Sequence, residues 1–197
     1  STAKLGALQT SGAANITSRF QNIIEDSTTG VVLNVGGGLT ANAAGSITLG
    51  NTTHTAGVTT SNITALNATA TTGSVGLIST ATLSLGSIAA NSLTITAANI
   101  TQSAPLNIFG LSTLNATTEG GNITLTNGSN NFGPLALIAA RNATIAVTES
   151  NTLNLRTVTM GNQASTGLAA AAGNGTLTIT SVNGDIIDTG LAFVTAG

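Results

Sequence analysis

Leu93, Leu114 and Leu135 stand at equal steps of 21 residues, with Leu155 a further 20 on and Leu177 another 22 beyond. Each lies in a short stretch where apolar and polar residues alternate, as in Ile123-Thr124-Leu125-Thr126. Alternation at a period of two buries one face of a strand and wets the other. Between the stretches lie clusters such as Asn127-Gly128-Ser129-Asn130-Asn131, residues that tolerate tight corners. Strand-like units recurring about every 20 residues, with no helical pattern between them, are the mark of a solenoid, because one unit hides its apolar side only by stacking on the next. Two longer echoes agree. Thr82-Leu83-Ser84-Leu85 returns as Thr152-Leu153-Asn154-Leu155, and Ser92-Leu93-Thr94-Ile95-Thr96 returns as Thr176-Leu177-Thr178-Ile179-Thr180. The spacing predicts an all-β chain, a right-handed parallel β-helix with coils of about 20 residues. Its inward set is Leu83, Leu85, Leu93, Ile95, Ile108, Leu114, Ile123, Leu125, Leu135, Leu137, Ile145, Val147, Leu153, Leu155, Leu177 and Ile179.

Composition fits a slender core. Charged residues make up 5% and aromatics 2%, yet 41% of the chain is hydrophobic, which argues against disorder. A net charge of −2 gives no basic patch for nucleic acid. The absence of cysteine removes disulfides and thiolate metal sites. No run reaches the roughly 18 apolar residues of a membrane-spanning helix, so no membrane insertion of that kind is expected.

Residues 1–29 differ from the rest, holding Lys4, Arg19, Glu25 and Asp26. Ile16, Phe20, Ile23 and Ile24 follow a helical spacing, which predicts a short capping helix, and the segment reads as an N-terminal cap or docking element. An irregular, strand-rich lead-in is the alternative. Residues 30–197 read as the solenoid, starting with a strand over 30–35 and interrupted by an insertion loop at about 160–175. Such a loop either projects a binding surface or is a tolerated addition. The last residues, including Phe193 and Val194, read as a strand that a further coil would pair, from a longer chain or from another molecule.

Gly121-Asn122-Ile123-Thr124-Leu125-Thr126, Asn130-Asn131-Phe132-Gly133, Thr152–Leu155, Leu177–Thr180 and Asn183-Gly184-Asp185-Ile186-Ile187-Asp188 together resemble the repeats of secreted bacterial β-solenoid proteins. These are the filamentous haemagglutinin-like exoproteins and the repetitive autotransporter-type adhesins. The resemblance covers about two thirds of the chain and implies an extracellular or cell-surface location. Two departures matter: the Asn-Pro motifs typical of that family's secretion domain are missing, and no C-terminal membrane barrel is visible in the sequence.

Few residues offer chemistry. His54 is the single histidine, in a hydrophilic turn-like stretch with no triad or metal partners grouped near it. Asp185 and Asp188 are neighbouring acids that would converge on a sugar or on Ca²⁺ only across a turn; solvated turn acids are the plainer reading. Glu119, Arg141, Glu149 and Arg156 read as scattered surface charges, with a Glu149–Arg156 pair between coils. Thr94/Thr96, Thr124/Thr126 and Thr178/Thr180 place Thr-x-Thr outward, as on an ice-binding face, although outward Thr suits any β-helix. Asn-x-Ser/Thr recurs at Asn15, Asn51, Asn62, Asn67, Asn99, Asn115, Asn122, Asn127, Asn142 and Asn174. Of these, Asn62, Asn115, Asn122 and Asn142 are the candidate glycosylation sites.

The sequence therefore points to a non-enzymatic extracellular structural protein, a β-solenoid of a filament, matrix or adhesive stalk. No catalytic residue, cofactor or metal is expected. The expected partner is the chain itself, joined head to tail through Ile16, Phe20, Ile23 and Ile24 at one end and Phe193 and Val194 at the other. Alternatives are a host- or carbohydrate-binding adhesin fragment, with surface glycans bound on the Met160–Gly175 loop, a polysaccharide lyase or hydrolase, and an ice-binding protein.

Overall fold

Alternation sets the inside and outside of each strand, and the corners set which strands meet. In the computed structural model, residues 2–25, 33–50, 62–161, 175–188 and 194–196 are described. Every strand pairing among them is parallel, and they contain no helix. Parallel neighbours cannot be joined by a two-residue hairpin, so the chain travels round a coil before meeting itself. The fold is solenoid-like, built on long parallel sheets.

The first sheet runs, in order, through Ala3–Leu5, Ile23–Glu25, Ile47–Leu49, Ser74–Ile78, Ser92–Ala97, Ser112–Ala116, Leu135–Ala139, Leu153–Met160 and Ile186–Asp188, with Val194–Ala196 also on Leu153–Met160. The second runs from Ala14–Ser18 through Leu39–Ala43, Ala65–Ala70, Thr82–Ala90, Asn99–Gln102, Ile123–Leu125 and Thr144–Glu149 to Thr176–Ser181. Two short strands, Leu106–Ile108 and Asn131–Phe132, continue it beside Thr82–Ala90. A third, small sheet joins Leu8–Thr10, Leu33–Val35 and Asn62–Ile63. It stops where Ser79 replaces a strand. The Ser79 hydroxyl accepts the Ile63 N–H (3.1 Å) and donates to the Ile63 carbonyl (3.0 Å), satisfying both polar groups of that edge residue.

The core is a set of aliphatic rows. Leu49, Leu77, Ile95, Leu114, Leu137 and Val158 stack in the first sheet, each fully or almost fully buried. Leu83, Ile100, Ile123 and Ile145 stack in the second and continue to Leu177. Burying one such side chain contributes about 1.5–3 kcal/mol, so the rows are the main source of stability. The expected inward set is buried throughout, apart from Leu177 and Ile179, which are partly buried in the last described strand of their sheet.

Two expectations are corrected. No helix spans 15–26. Ala14–Ser18 pairs with Leu39–Ala43, Ile23–Glu25 pairs with Ile47, and Ile16 is half-buried while Phe20 is 84% exposed. The apolar residues were spaced for two separate strands and the corner between them. The equal spacing of the three leucines also does not mark one stacked row. Successive partners along the first sheet, from Ala3 through Ile23, Ile47, Val75, Leu93, Ser112 and Leu135 to Leu155, lie 20, 24, 28, 18, 19, 23 and 20 residues apart. Leu93 faces Ser112, and Leu114 lies between Ile95 and Leu137, so the three equally spaced leucines share a sheet but not one row. Corners absorb the variation while the ladders keep their register. Of the first expected strand, Leu33–Val35 is described, and most of the 160–175 insertion lies outside the described residues.

Candidate functional site

Corners carry most of the polar architecture. At the entry to several strands, and at the register shift inside Thr82–Ala90, an Asn carbonyl accepts a backbone N–H of the next coil. Asn22 takes Ser46 (2.8 Å), Asn67 takes Ser87 (3.0 Å), Asn99 takes Asn122 (2.9 Å) and Asn122 takes Thr144 (2.8 Å). In Asn99-Ile100-Thr101 and Asn122-Ile123-Thr124, the Asn holds the corner, the Ile is buried and the Thr looks outward. That geometry supplies a structural reason for the abundance of Asn-x-Thr. Among the candidate glycosylation residues, Asn62 is exposed and donates to Asn34 Oδ1 (3.3 Å), and Asn115 is half-exposed on the outer face of the first sheet. Asn122 holds its corner, and Asn142 sits at φ 59° and donates to Glu119 Oε1 (3.1 Å).

Three buried residues with carboxylate or amide side chains escaped the sequence reading. Glu149 is wholly buried, and its carboxylate accepts the Phe132 N–H (2.9 Å), the Asn151 N–H (3.3 Å) and the Ser150 hydroxyl (3.4 Å). Burial pushes its carboxyl above the usual range, and these hydrogen bonds oppose that shift only in part. Glu25, also buried, accepts the Gly50 N–H of the next coil. Asn130 is wholly buried. Its Oδ1 accepts Gln102 Nε2 (2.8 Å) and the Leu106 N–H (3.1 Å), and its Nδ2 donates to Gln102 Oε1 (3.0 Å), Leu125 O (3.2 Å) and Thr148 O (3.0 Å). Glu149 therefore caps a backbone group inside a corner instead of serving as a surface charge. The one sequence signal was its inward phase, two residues beyond Val147.

The remaining charges lie apart. Glu119 and Arg141 approach to 4.0 Å at an exposed corner. Asp185 and Asp188 are both exposed. Among the described residues, no three His, Cys, Asp or Glu side chains are grouped to hold a metal ion, and no helix is long and apolar enough to cross a membrane. His54, Phe193 and residues 162–174 lie outside the described residues, and Val194 opens a strand paired with Val158. The Thr-x-Thr pairs do not form one array. Thr94 and Thr96 belong to the first sheet, whereas Thr124 and Thr178 belong to the second with Ala146 between them.

Outer faces are unusually neutral. From Ile24 to Ile138, the first sheet shows outward Thr48, Gly76, Ile78, Thr94, Thr96, Thr113, Asn115 and Ala136, with no charge. The second sheet's outer face, with Thr40, Asn67, Ser84, Thr101, Thr124 and Thr144 among its residues, is also uncharged. What such faces can do chemically is hydrogen-bond weakly and pack closely.

One family model matches the chain, described as repeats of unknown function (DUF5649), over residues 72–139. The matched stretch lies in the middle of the column, and the match is consistent with a repetitive protein. No curated protein matches, and no solved structure matches.

Proposed function

We propose that this chain is a non-enzymatic structural piece of an extracellular or cell-surface β-solenoid, belonging to a filament, matrix or adhesive stalk. Its coils are right-handed and average about 20 residues. The observation that carries this reading is the pair of long parallel sheets running through the described residues with neutral outer faces and a continuous aliphatic interior. Stacked hydrogen-bond ladders and aliphatic rows give a stiff rod, and the inner polar groups serve the rod itself.

Coil ends supply the second support. Ala3, Leu5, Leu8, Ala14 and Ile16 at one described end, and Leu177 and Ile179 at the other, are only partly buried, whereas their counterparts in the middle are covered completely. A further coil would cover them, and head-to-tail joining of columns would supply one. Electron microscopy and light scattering of the purified chain test this: rods that lengthen with concentration are expected. A chain that stays a monomeric particle at high concentration would sink the reading.

A further inference from the structure

Large apolar side chains that reach the surface gather on one side of the column. Phe20, Phe109, Leu111 and Val182 all stand on the corner leading from the second sheet into the first, and Phe109 is 68% exposed. That corner is one continuous line, stitched by hydrogen bonds such as Gly45 N–H to Gln21 O, Asn91 N–H to Gly73 O, Gly110 N–H to Asn91 O and Asn183 N–H to Ser150 O. The face beside it, the outer side of the first sheet, carries outward Ile24, Ile78 and Ile138. The second sheet's outer face has no aliphatic side chain larger than Ala. Corner and face together make one strip in which these large apolar side chains stand among Thr, Asn, Ser and Gly, with no charge between its two ends.

We propose that this strip is a lateral interface with a second copy of the chain, the two columns lying antiparallel. Three features select that occupant. Between its ends the strip carries no charge that would repel a second copy, and a two-fold interface requires such a surface to meet itself. Its poles are opposite. Lys4 and Arg19 stand at the first coil, and Asp185 and Asp188, with Arg156 one strand inward, stand at the last, so reversing one column sets cations against a pole with more carboxylates than cations. The size suffices. Nine strands of three to eight residues, at about 3.3 Å per residue and about 4.8 Å apart, give roughly 650 Å² per copy and roughly 1,300 Å² per pair, at the lower end of the range of specific interfaces. The two-fold axis then crosses the middle strand, Ser92–Ala97, placing Thr94 opposite its own copy and Phe109 and Leu111 close to the centre, where apolar anchors count most.

The interface does not depend on head-to-tail growth, and one experiment separates them. The chain has no cysteine, so Thr94→Cys and Thr124→Cys each introduce one thiol, on the first and second outer faces. Facing sheets lie about 10 Å apart, within reach of a short bis-maleimide, whereas head-to-tail neighbours hold equivalent residues about 40 Å apart. Cross-linked dimer is expected from Thr94→Cys and not from Thr124→Cys. In sedimentation of the full chain, Thr94→Lys should weaken lateral pairing by about tenfold or more, and Thr124→Lys should leave it unchanged. Equal cross-linking of both thiols, none at Thr94→Cys, or indifference to Thr94→Lys would overturn the interface. Rods that persist in any of these cases would leave head-to-tail growth standing.

Discussion

Glu149, fully enclosed, accepts the Phe132 N–H of the preceding coil at 2.9 Å. A carboxylate here does what a strand partner would do, at a corner where the ladder has to turn. The arrangement carries an electrostatic cost, since burial raises the group's pKa despite the hydrogen bonds around it.

That cost has a sign. The folded chain holds a proton on Glu149 more tightly than the unfolded chain does, so the favourable term is complete below the unfolded value of about 4.5 and is lost as pH rises through the higher folded value. Relative to Glu149→Gln, which does not titrate, the wild type should therefore lose stability between about pH 4 and pH 7. Urea unfolding of both proteins at the two pH values measures the difference. A gap that stays constant would refute the assignment.

Gly50 and Gly120 both adopt left-handed backbone, at φ 75° and 71°, but their surroundings differ. A Cβ on Gly50 would lie 2.0 Å from the Ile78 carbonyl oxygen, while one on Gly120 would meet nothing within 4 Å. Gly120→Ala should cost about 1 kcal/mol from backbone strain alone. Gly50→Ala should cost about 3 kcal/mol or more, because a neighbouring coil has to move. Thermal unfolding of the two variants would show the gap.

Asn130 and Gln102 exchange two amide hydrogen bonds inside the column, and Asn130 reaches three further backbone groups. Asn130→Asp removes the two donors and leaves Leu125 O and Thr148 O facing a carboxylate. A loss of about 3–5 kcal/mol is expected. A double-mutant cycle with Gln102→Ala should return a coupling above about 1 kcal/mol.

Ser112 interrupts the row between Leu93 and Leu135, and its hydroxyl is buried without a hydrogen-bond partner. Ser112→Ala should leave the fold intact and raise stability by about 1 kcal/mol. A destabilised Ser112→Ala variant in urea unfolding would mean that the hydroxyl does useful bonding.

The inside of the column was legible because a strand records its own two faces. Leu83, Ile123 and Val147 are buried as their alternation requires. Which side of the coil a strand occupies was not legible, since all sides present the same alternation to one core. Hence Ser92–Thr96 and Thr176–Thr180, alike in sequence, lie in different sheets, as do Thr82–Leu85 and Thr152–Leu155. The helix expected around Phe20 failed for a related reason, because a strand, a corner and a strand can reproduce helical spacing over a short window. Glu149 and Asn130 were hidden because a polar residue at an inward phase reads as an exception until its partners, distant in sequence, are placed.

Ser79 closes the third sheet after Asn62–Ile63, so the cross-section changes along the column. One hydroxyl does there what a neighbouring strand does elsewhere, and a Ser79→Ala chain would leave the Ile63 N–H and carbonyl without those bonds inside the column.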